Sequence, residues 1–158
     1  MADVRAVIIT VSTRSARGES EDVSGPRLAA LAEEAGVVVE AVEVVPDDRM
    51  LIESRLRHHV AAGCSFVFTT GGTGFTADDV TPEATRAVID RDAPGFAETM
   101  RTESRRFTPL GILTRGVSGI AERTLIVNFP GNPKAIDQLW PVVAPTLEHV
   151  DATLHRGA

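Results

Sequence analysis

The first candidate for chemistry is a run of threonine and glycine at residues 69–74, Thr-Thr-Gly-Gly-Thr-Gly, which directly follows an apolar segment. Glycines at this density allow backbone N–H groups to converge on an anion, and the threonine hydroxyls add further donors. A glycine cluster is also typical of a mobile turn that joins a strand to a helix. The position of this run, directly after a predicted buried strand, favours the anion site.

Two nucleotide-binding patterns can be compared with this loop. It is not a Walker A sequence, because no Gly-Lys-Ser/Thr ends it. Residues 72–77 match the loose Gly-x-Gly-x-x-Gly/Ala pattern of nicotinamide-dependent oxidoreductases. That match carries little weight, because the loop follows the third predicted strand and the next helix begins only at Pro82, too late for a tight turn.

Two pairs of aspartates offer ligands for a cation. Asp78 and Asp79 follow the glycine loop, and Asp47 and Asp48 follow another predicted strand. Carboxylates beside a phosphate would repel it unless a cation lies between them, and Mg²⁺ commonly binds through one or two carboxylates plus substrate phosphates. The alternative for both pairs is helix capping, which favours acidic residues at a helix N-terminus.

Two more loops could bind an oxyanion. In residues 130–134, Pro-Gly-Asn-Pro-Lys, Asn132 is expected to cap a helix whose N-terminus faces the ligand. Lys134 is the only lysine in the protein, and it is either a phosphate contact or an ordinary surface residue. Residues 12–15 could also hold an oxyanion or form a solvated turn.

The histidines and the cysteine are poorer candidates. His58 and His59 are adjacent, so on a helix they face different ways and do not form a metal pair. His149 and His155 lie near the C-terminus, and Cys64 precedes a strand and is expected to be a small core residue.

The elements that must position these loops alternate between strand and helix. Strands are predicted at 5–11, 37–45, 65–69 and 124–129, and helices at 26–35, about 48–62, 82–90 and 95–105. Ser24 or Gly25 is expected to cap the first of these helices and Thr81 the third. One or two further helices are expected after residue 133, broken near Pro141 and Pro145, while residues 107–123 have no clear pattern. The alternation predicts an α/β fold with a parallel sheet and helices on both faces, whose ligands bind at the carboxyl ends of the strands.

Composition excludes several classes of protein. The 158 residues are 43% hydrophobic with a net charge of −6, which predicts one ordinary globular domain over 1–158. No apolar run approaches the ~20 residues needed to span a bilayer, and the N-terminus has no signal-peptide layout. A single cysteine suits a reducing cytoplasm. The acidic balance argues against nucleic acid, which needs clustered basic residues.

Several segments together resemble the MoaB/Mog family of molybdenum cofactor biosynthesis. The resemblance covers nearly the whole chain and is carried by residues 69–75, 79–85, 45–48, 93–95, 109–115 and 130–135. It is closest to the molybdopterin adenylyltransferase branch, which includes bacterial Mog proteins and the G domains of plant and animal fusion proteins. The family implies a three-layer α/β sandwich with a mostly parallel central sheet, and members are usually homotrimers.

The resemblance also implies an activity and a set of site residues. The adenylyltransferase branch transfers AMP from Mg-ATP to the terminal phosphate of molybdopterin, releases pyrophosphate, and hands the product to a separate molybdate-insertion protein. The catalytic and metal-binding aspartates map to Asp47 and Asp79. The substrate-binding positions map to Ser12, Thr70, Gly71, Gly72, Thr73, Gly74, Thr114, Pro130, Gly131, Asn132 and Lys134.

Two departures from the family pattern leave single contacts open. Many relatives have Asp where this chain has Thr13, and the G domains have Ser where it has Thr114. The alternative function is a non-catalytic MoaB-type protein that binds molybdopterin or acts as a scaffold in the same pathway.

Overall fold

The computed structural model describes residues 4–157. Met1, Ala2 and Asp3, which belong to the N-terminal run without a signal-peptide layout, lie outside the described residues, as does Ala158. The strands are β1 Arg5–Val11, β2 Val38–Val45, β3 Phe66–Thr70, β4 Arg91–Asp92, β5 Ser118–Ala121 and β6 Thr124–Phe129. The α-helices are α1 Thr13–Ala16, α2 Ser24–Glu34, α3 Arg49–Ala61, α4 Thr81–Val88, α5 Gly95–Ser104, α6 Pro133–Val143 and α7 Leu147–Leu154, with 3₁₀ turns at Pro109–Leu113 and Ala144–Thr146.

The strands form one six-stranded sheet in the order β2-β1-β3-β6-β5-β4. β2, β1, β3 and β6 are parallel to one another, whereas β5 is antiparallel to β6 and β4 is antiparallel to β5. The prediction of a mostly parallel sheet is therefore confirmed. Its parallel part brings the carboxyl ends of β1, β3 and β6 side by side.

Two cores fill the space between the sheet and the helices on its two faces. Alternate residues of β1 point to opposite cores, with Ala6 and Ile8 in one and Val7, Ile9 and Val11 in the other. The first core also contains side chains of α2, α5, α6 and α7, and the second contains side chains of α3 and α4. Because β1 buries both faces, it has an almost continuous apolar sequence. The molecule is the three-layer α/β sandwich that the family resemblance implied.

Three local predictions were wrong, of which two concern this part of the fold. Neither Ser24 nor Gly25 caps α2, because the helix begins at Ser24 and Val23 precedes it without a side-chain cap. The Gly25 N–H in its first turn donates to Asp22 Oδ1 at 3.0 Å. Pro141 does not break α6, which continues through it to Val143. A proline in the final turn removes a single hydrogen bond there, so the helix tolerates it. The break falls at Ala144–Thr146, beside Pro145.

The segment without a clear pattern folds into the 3₁₀ turn and the β5–β6 hairpin. The hairpin turn consists of Glu122 and Arg123, and Glu122 has a φ of 53°. A turn of this kind usually contains Asn or Gly, which is why no hairpin signal is visible in the sequence. Asp90 Oδ2 accepts the Glu122 N–H at 2.8 Å and Arg91 Nη2 donates to its carbonyl at 3.0 Å, so side chains near β4 stabilise the turn.

None of the helices within residues 4–157 has the length and apolar character required to cross a membrane.

Candidate active site

Three loops meet at the carboxyl ends of the central strands, and Gly71 lies at their junction. Its N–H donates to the Phe129 carbonyl at 3.1 Å, and the neighbouring Thr70 hydroxyl donates to the Pro130 carbonyl at 2.8 Å. A Cβ on Gly71 would collide with the Val11 carbonyl, and one on Gly131 would lie 3.2 Å from Gly71 Cα. The loops after β1, β3 and β6 therefore touch through their backbones, which only glycine allows at this distance.

The glycine loop is held through its carbonyl oxygens. Thr81 donates from its hydroxyl to the Gly71 carbonyl and from its N–H to the Gly72 carbonyl, at 3.0 and 3.1 Å. Thr81 is thus the first residue of α4 and holds the loop, so its predicted role as a side-chain cap is the third wrong prediction.

Arg115 holds the second half of this loop. Its N–H donates to the Thr73 carbonyl at 2.8 Å, its Nε to the Gly74 carbonyl at 2.8 Å, and its Nη2 to the Asp79 carbonyl at 2.7 Å. The same guanidinium binds both carboxylate oxygens of Glu83, at 2.9 and 3.1 Å, and holds the pKa of that carboxyl below its usual value. The loop is fixed by its oxygens, while the N–H groups of Gly72, Thr73 and Gly74 donate to no acceptor within residues 4–157.

Asp47 and Asp79 line the same cleft, called here the aspartate cleft, whose volume is about 770 Å³. Ser12, Thr13, Arg14, Arg17, Asp48, Asp78 and Gly72 also line it, with Val11 and Pro46. The cleft thus combines four carboxylates with two exposed guanidinium groups. Such a mixture suits an anionic ligand that carries its own cation.

A threonine holds each of these two aspartates. Asp47 Oδ2 accepts hydrogen bonds from the N–H and the hydroxyl of Thr13, at 3.1 and 2.8 Å. Asp79 Oδ2 accepts the same two bonds from Thr76, at 3.0 and 2.8 Å. Asp48 is the capping residue of α3, since its Oδ1 accepts the Leu51 N–H at 3.0 Å.

The donor set suits a cation that keeps most of its water. Within residues 4–157, no group of three His, Cys, Asp or Glu side chains could enclose a metal ion. Asp47 and Asp79 lie in one cleft, and each has an oxygen that accepts no hydrogen bond within residues 4–157. This pair fits Mg²⁺, which usually takes one or two carboxylates and completes its shell with water and phosphate oxygens.

Ser12, Thr70, Gly71 and Gly131 line a second cleft of about 410 Å³, called here the serine cleft. Its wall is polar and contains Thr10, Ser15, Ser20, Glu21, Asp22 and Ser24, with Val23 and Pro133. Val11 and Ser12 line both clefts, so the two adjoin at the end of β1.

The remaining predicted residues lie around these clefts. Asn132 caps α6, because its Oδ1 accepts the Lys134 N–H at 2.9 Å, and Lys134 is exposed and lines neither cleft. Pro130 contributes only its carbonyl, to Thr70. Thr114 lies elsewhere, in a separate cleft of about 590 Å³ with Arg86, Arg101 and Arg115.

His59 and Cys64 are buried, and their contacts indicate structural roles. His59 Nε2 lies 2.7 Å from Glu43 Oε2, and Glu43 also binds Arg55 through two hydrogen bonds. Burial raises the pKa of the Cys64 thiol to about 11, so it stays protonated near neutral pH and is a poor nucleophile.

Sequence reasoning missed Thr13, Thr76 and Arg115 as residues that shape the site. In the sequence, Thr13 is part of the candidate oxyanion loop 12–15 and a departure from the family pattern, and Arg115 is part of a motif, but neither is indicated as a partner of a site aspartate or of the glycine loop. Nothing in the spacing indicated that Thr76 contacts Asp79. Each acts through contacts with another residue, which residue type and spacing alone do not specify.

Comparisons with known proteins identify the family. A family model described as "Probable molybdopterin binding domain" matches residues 7–149. The molybdopterin adenylyltransferase of Haemophilus influenzae is 45% identical over 134 residues, which cover 83% of this chain and 68% of that protein. The molybdopterin adenylyltransferase of Escherichia coli K12 is 40% identical over 141 residues, 87% of this chain and 72% of that protein.

Solved structures show the same relationship. The molybdopterin biosynthesis enzyme MoaB of Thermus thermophilus superposes with a TM-score of 0.90 and 39% identity, over 96% of each chain. Family model, sequence relatives and structure therefore agree, and the chain belongs to the MoaB/Mog family of molybdenum cofactor biosynthesis proteins.

Proposed function

We propose that this protein is a molybdopterin adenylyltransferase, which transfers AMP from Mg-ATP to the terminal phosphate of molybdopterin. The observation that carries the proposal is that Asp47 and Asp79 share one cleft, beside a loop with unused N–H groups, in a chain 36–45% identical to proteins of that name.

In the proposed reaction, an oxygen of the molybdopterin phosphate attacks the α-phosphorus of ATP. The new P–O bond forms as the bond from the α-phosphorus to the bridging oxygen breaks, and pyrophosphate leaves with the electron pair. A phosphate oxygen is already a nucleophile at neutral pH, so no general base is required. Catalysis then consists of positioning and charge neutralisation.

The residues of the two clefts have matching roles in this proposal. The free N–H groups of the glycine loop and the Ser12 hydroxyl of the serine cleft bind the phosphate end of molybdopterin, while Thr70, whose hydroxyl donates to the Pro130 carbonyl, shapes the wall of that cleft. Asp47 and Asp79 hold Mg²⁺, which when bound neutralises charge on the ATP phosphates. Arg14 and Arg17, exposed in the aspartate cleft, balance the remaining negative charge.

The positions outside both clefts have weaker support. We propose Asn132 and Lys134 as phosphate contacts from the α6 N-terminus, with Pro130 shaping that loop together with Gly131, which lines the serine cleft. Thr114 is a proposed substrate contact only through the family resemblance, because it lies in the separate cleft with Arg86 and Arg101.

We further propose that the chain forms a single domain, acts in the cytoplasm as a homotrimer, and passes its product to a separate molybdate-insertion protein. The match of the family model over residues 7–149 supports one domain. A group of exposed apolar side chains at residues 107–113 supports self-association.

Asp79→Asn tests the catalytic proposal. With molybdopterin and Mg-ATP, the wild-type protein should release pyrophosphate, and the variant should lose this activity by ~100-fold or more while its fold and molybdopterin binding remain. Asp137→Asn, which changes an exposed carboxylate on α6 paired with Arg27, is the matched control. Full activity of Asp79→Asn would overturn the assigned role. Molybdopterin binding by the wild-type protein without pyrophosphate release would instead support the non-catalytic function.

A further inference from the structure

Three hydrogen bonds join each site aspartate to one threonine. Asp47 Oδ2 accepts from the N–H and the hydroxyl of Thr13, and the Asp47 N–H donates back to Thr13 Oγ1 at 2.9 Å. Asp79 Oδ2 accepts from the N–H and the hydroxyl of Thr76, and the Asp79 N–H donates back to the Thr76 carbonyl at 3.1 Å. The Asp47 and Asp79 carboxylates are thus held at two separate places in the chain through the same pair of donors, a threonine N–H and its hydroxyl.

This arrangement distinguishes the two oxygens of each carboxylate. Oδ2 has two protein donors in both cases, whereas Oδ1 of Asp47 and Oδ1 of Asp79 accept no hydrogen bond from any group in residues 4–157. Two donors on one oxygen also fix the torsion angle of the carboxylate, because rotation would break both bonds. Each aspartate therefore has one oxygen bound by the protein and one available to a ligand.

The two threonines differ in how far along the chain they lie from the aspartates that they bind. Thr13 lies 34 residues before Asp47, so it connects the loop after β1 to the loop after β2. Thr76 lies three residues before Asp79 and fixes the shape of a single loop. Arg115 binds the Asp79 carbonyl and so holds the second pair in place from outside the loop.

We propose that Thr13 and Thr76 are positioning residues, each of which fixes its aspartate so that Oδ1 is presented to the cation in the aspartate cleft. The inference rests on the proposed function, because it assumes that a divalent cation binds there with the nucleotide. It also gives a physical meaning to Thr13, since the N–H and the hydroxyl of this residue both bind Asp47.

Cation binding can be measured without turnover. Mn²⁺ replaces Mg²⁺ as the probe, α,β-methylene-ATP serves as a nucleotide that cannot transfer AMP, and water-proton relaxation reports Mn²⁺ bound to the protein. Thr13→Val and Thr76→Val keep the side-chain shape but remove the hydroxyl. Each should weaken binding of the Mn²⁺–nucleotide complex by ~10-fold or more, the usual effect of removing a group that orients a metal ligand.

Serine variants separate positioning from packing. Thr13→Ser and Thr76→Ser keep the hydroxyl, and their affinity should stay within about twofold of the wild-type value, well below the usual loss when an orienting group is removed. Thr102→Val removes an exposed hydroxyl of α5 that donates to the Glu98 carbonyl, and it should leave the affinity for the Mn²⁺–nucleotide complex unchanged. If a valine variant does not fold, alanine at the same position replaces it.

The outcomes distinguish this inference from the proposed function. Valine variants that bind the Mn²⁺–nucleotide complex like the wild-type protein would overturn the positioning role, even if the wild-type protein transfers AMP. Serine variants that bind the complex as weakly as the valine variants would also overturn the positioning role. So would a wild-type protein that does not bind the complex. A wild-type protein that binds the complex in a hydroxyl-dependent way but releases no pyrophosphate would support the positioning role and overturn the proposed activity.

Discussion

Gly72 shows at the scale of one residue why the loop after β3 needs glycine. Its φ of +68° lies in the left-handed region, and a Cβ would collide with the Thr81 hydroxyl and lie 3.1 Å from a Val11 methyl group. The Thr81 hydroxyl cannot move aside without losing its bond to the Gly71 carbonyl. Gly63 has a similar φ of +80°, but no atom lies within 4 Å of the position of its Cβ.

These two glycines allow backbone strain to be measured separately from steric collision. Gly63→Ala should destabilise the protein by about 1–2 kcal/mol, the usual cost of a left-handed backbone for a residue with a Cβ. Gly72→Ala should cost about 1–3 kcal/mol more, because the neighbouring side chains must also shift. Urea denaturation measures both. Equal losses at the two positions would contradict the crowded environment of Gly72.

The glycine requirement could be predicted from the sequence, but the threonine–aspartate pairs could not. Glycine has no Cβ and adopts positive φ and close backbone contacts that other residues avoid, so a cluster of glycines after a strand already predicts an unusual loop. A contact between Thr13 and Asp47 depends on the relative placement of two loops that are 34 residues apart. That placement is set by the packing of β1 against β2 and not by either residue.

At the scale of elements, Arg115 connects the segment before β5 to the glycine loop and α4. It binds the carbonyls of Thr73, Gly74 and Asp79 and the carboxylate of Glu83. Thr73 is buried, but the loop becomes exposed beyond it, and Phe75 is 68% exposed. Arg115 should therefore control how often this loop opens.

Arg115→Ala should increase amide exchange at Thr76 and Asp79 by about fivefold or more, the equivalent of one lost hydrogen bond. Hydrogen–deuterium exchange with mass spectrometry of residues 73–81 measures this effect. Arg106→Ala removes an exposed pair with Glu103 on α5 and should leave the same segment unchanged. Unchanged exchange in Arg115→Ala would show that the loop is held by other contacts.

A second connection between elements joins β2, at the edge of the sheet, to α3. Glu43 of β2 binds Arg55 and His59 of α3. Hydrogen bonds from Arg55, with a further contribution from His59, hold the pKa of Glu43 below its ordinary value of 4.5. In the unfolded chain this carboxylate takes up a proton at a higher pH than in the folded protein. The contacts of Glu43 with Arg55 and His59 therefore stabilise the fold above about pH 4.5. This contribution is lost as the pH falls through the pKa that Glu43 has in the folded protein.

Glu43→Gln should make the protein less stable near neutral pH and less sensitive to acid. Its free energy of unfolding in urea should change less between about pH 6 and pH 3 than that of the wild-type protein. Glu40→Gln, which removes an exposed pair with Arg5, should keep the wild-type slope. A wild-type slope in Glu43→Gln would mean that other carboxylates cause the acid sensitivity.

The elements themselves were predictable where each has its own pattern. β1, β3, β6 and the major helices follow from apolar runs, capping residues and glycine stops. β4 has only two exposed residues, and β5 is followed by a Glu-Arg turn, so neither has a local signal that differs from a loop. β5 forms because β6 offers it a free edge, and β4 then pairs with β5, so both depend on the assembled sheet.

At the scale of the whole molecule, the most prominent surface feature is apolar. Phe107, Leu110, Ile112 and Leu113 are 51%, 65%, 57% and 42% exposed within a short segment around the 3₁₀ turn. Contiguous exposed apolar side chains usually mark an interaction surface. This group is the proposed contact between copies in the homotrimer.

Leu110→Glu tests that assignment, because a buried charge at an interface is strongly unfavourable. Light scattering should give a trimer mass for the wild-type protein and a monomer mass for the variant. Met50→Glu, at a residue 71% exposed on α3, should remain trimeric. A variant with the wild-type mass, or a wild-type monomer, would contradict the proposed interface.

The strand order also has a consequence for synthesis of the protein. β6 lies at the centre of the sheet, next to β3, although it is the last strand to leave the ribosome. Until then, the edge of β3 has no partner, and Phe66, Val67 and Phe68 form an apolar strand of the kind that pairs with other chains. The nascent chain is therefore most prone to aggregate just before residues 124–129 emerge, a hazard that a chaperone bound to β3 would relieve.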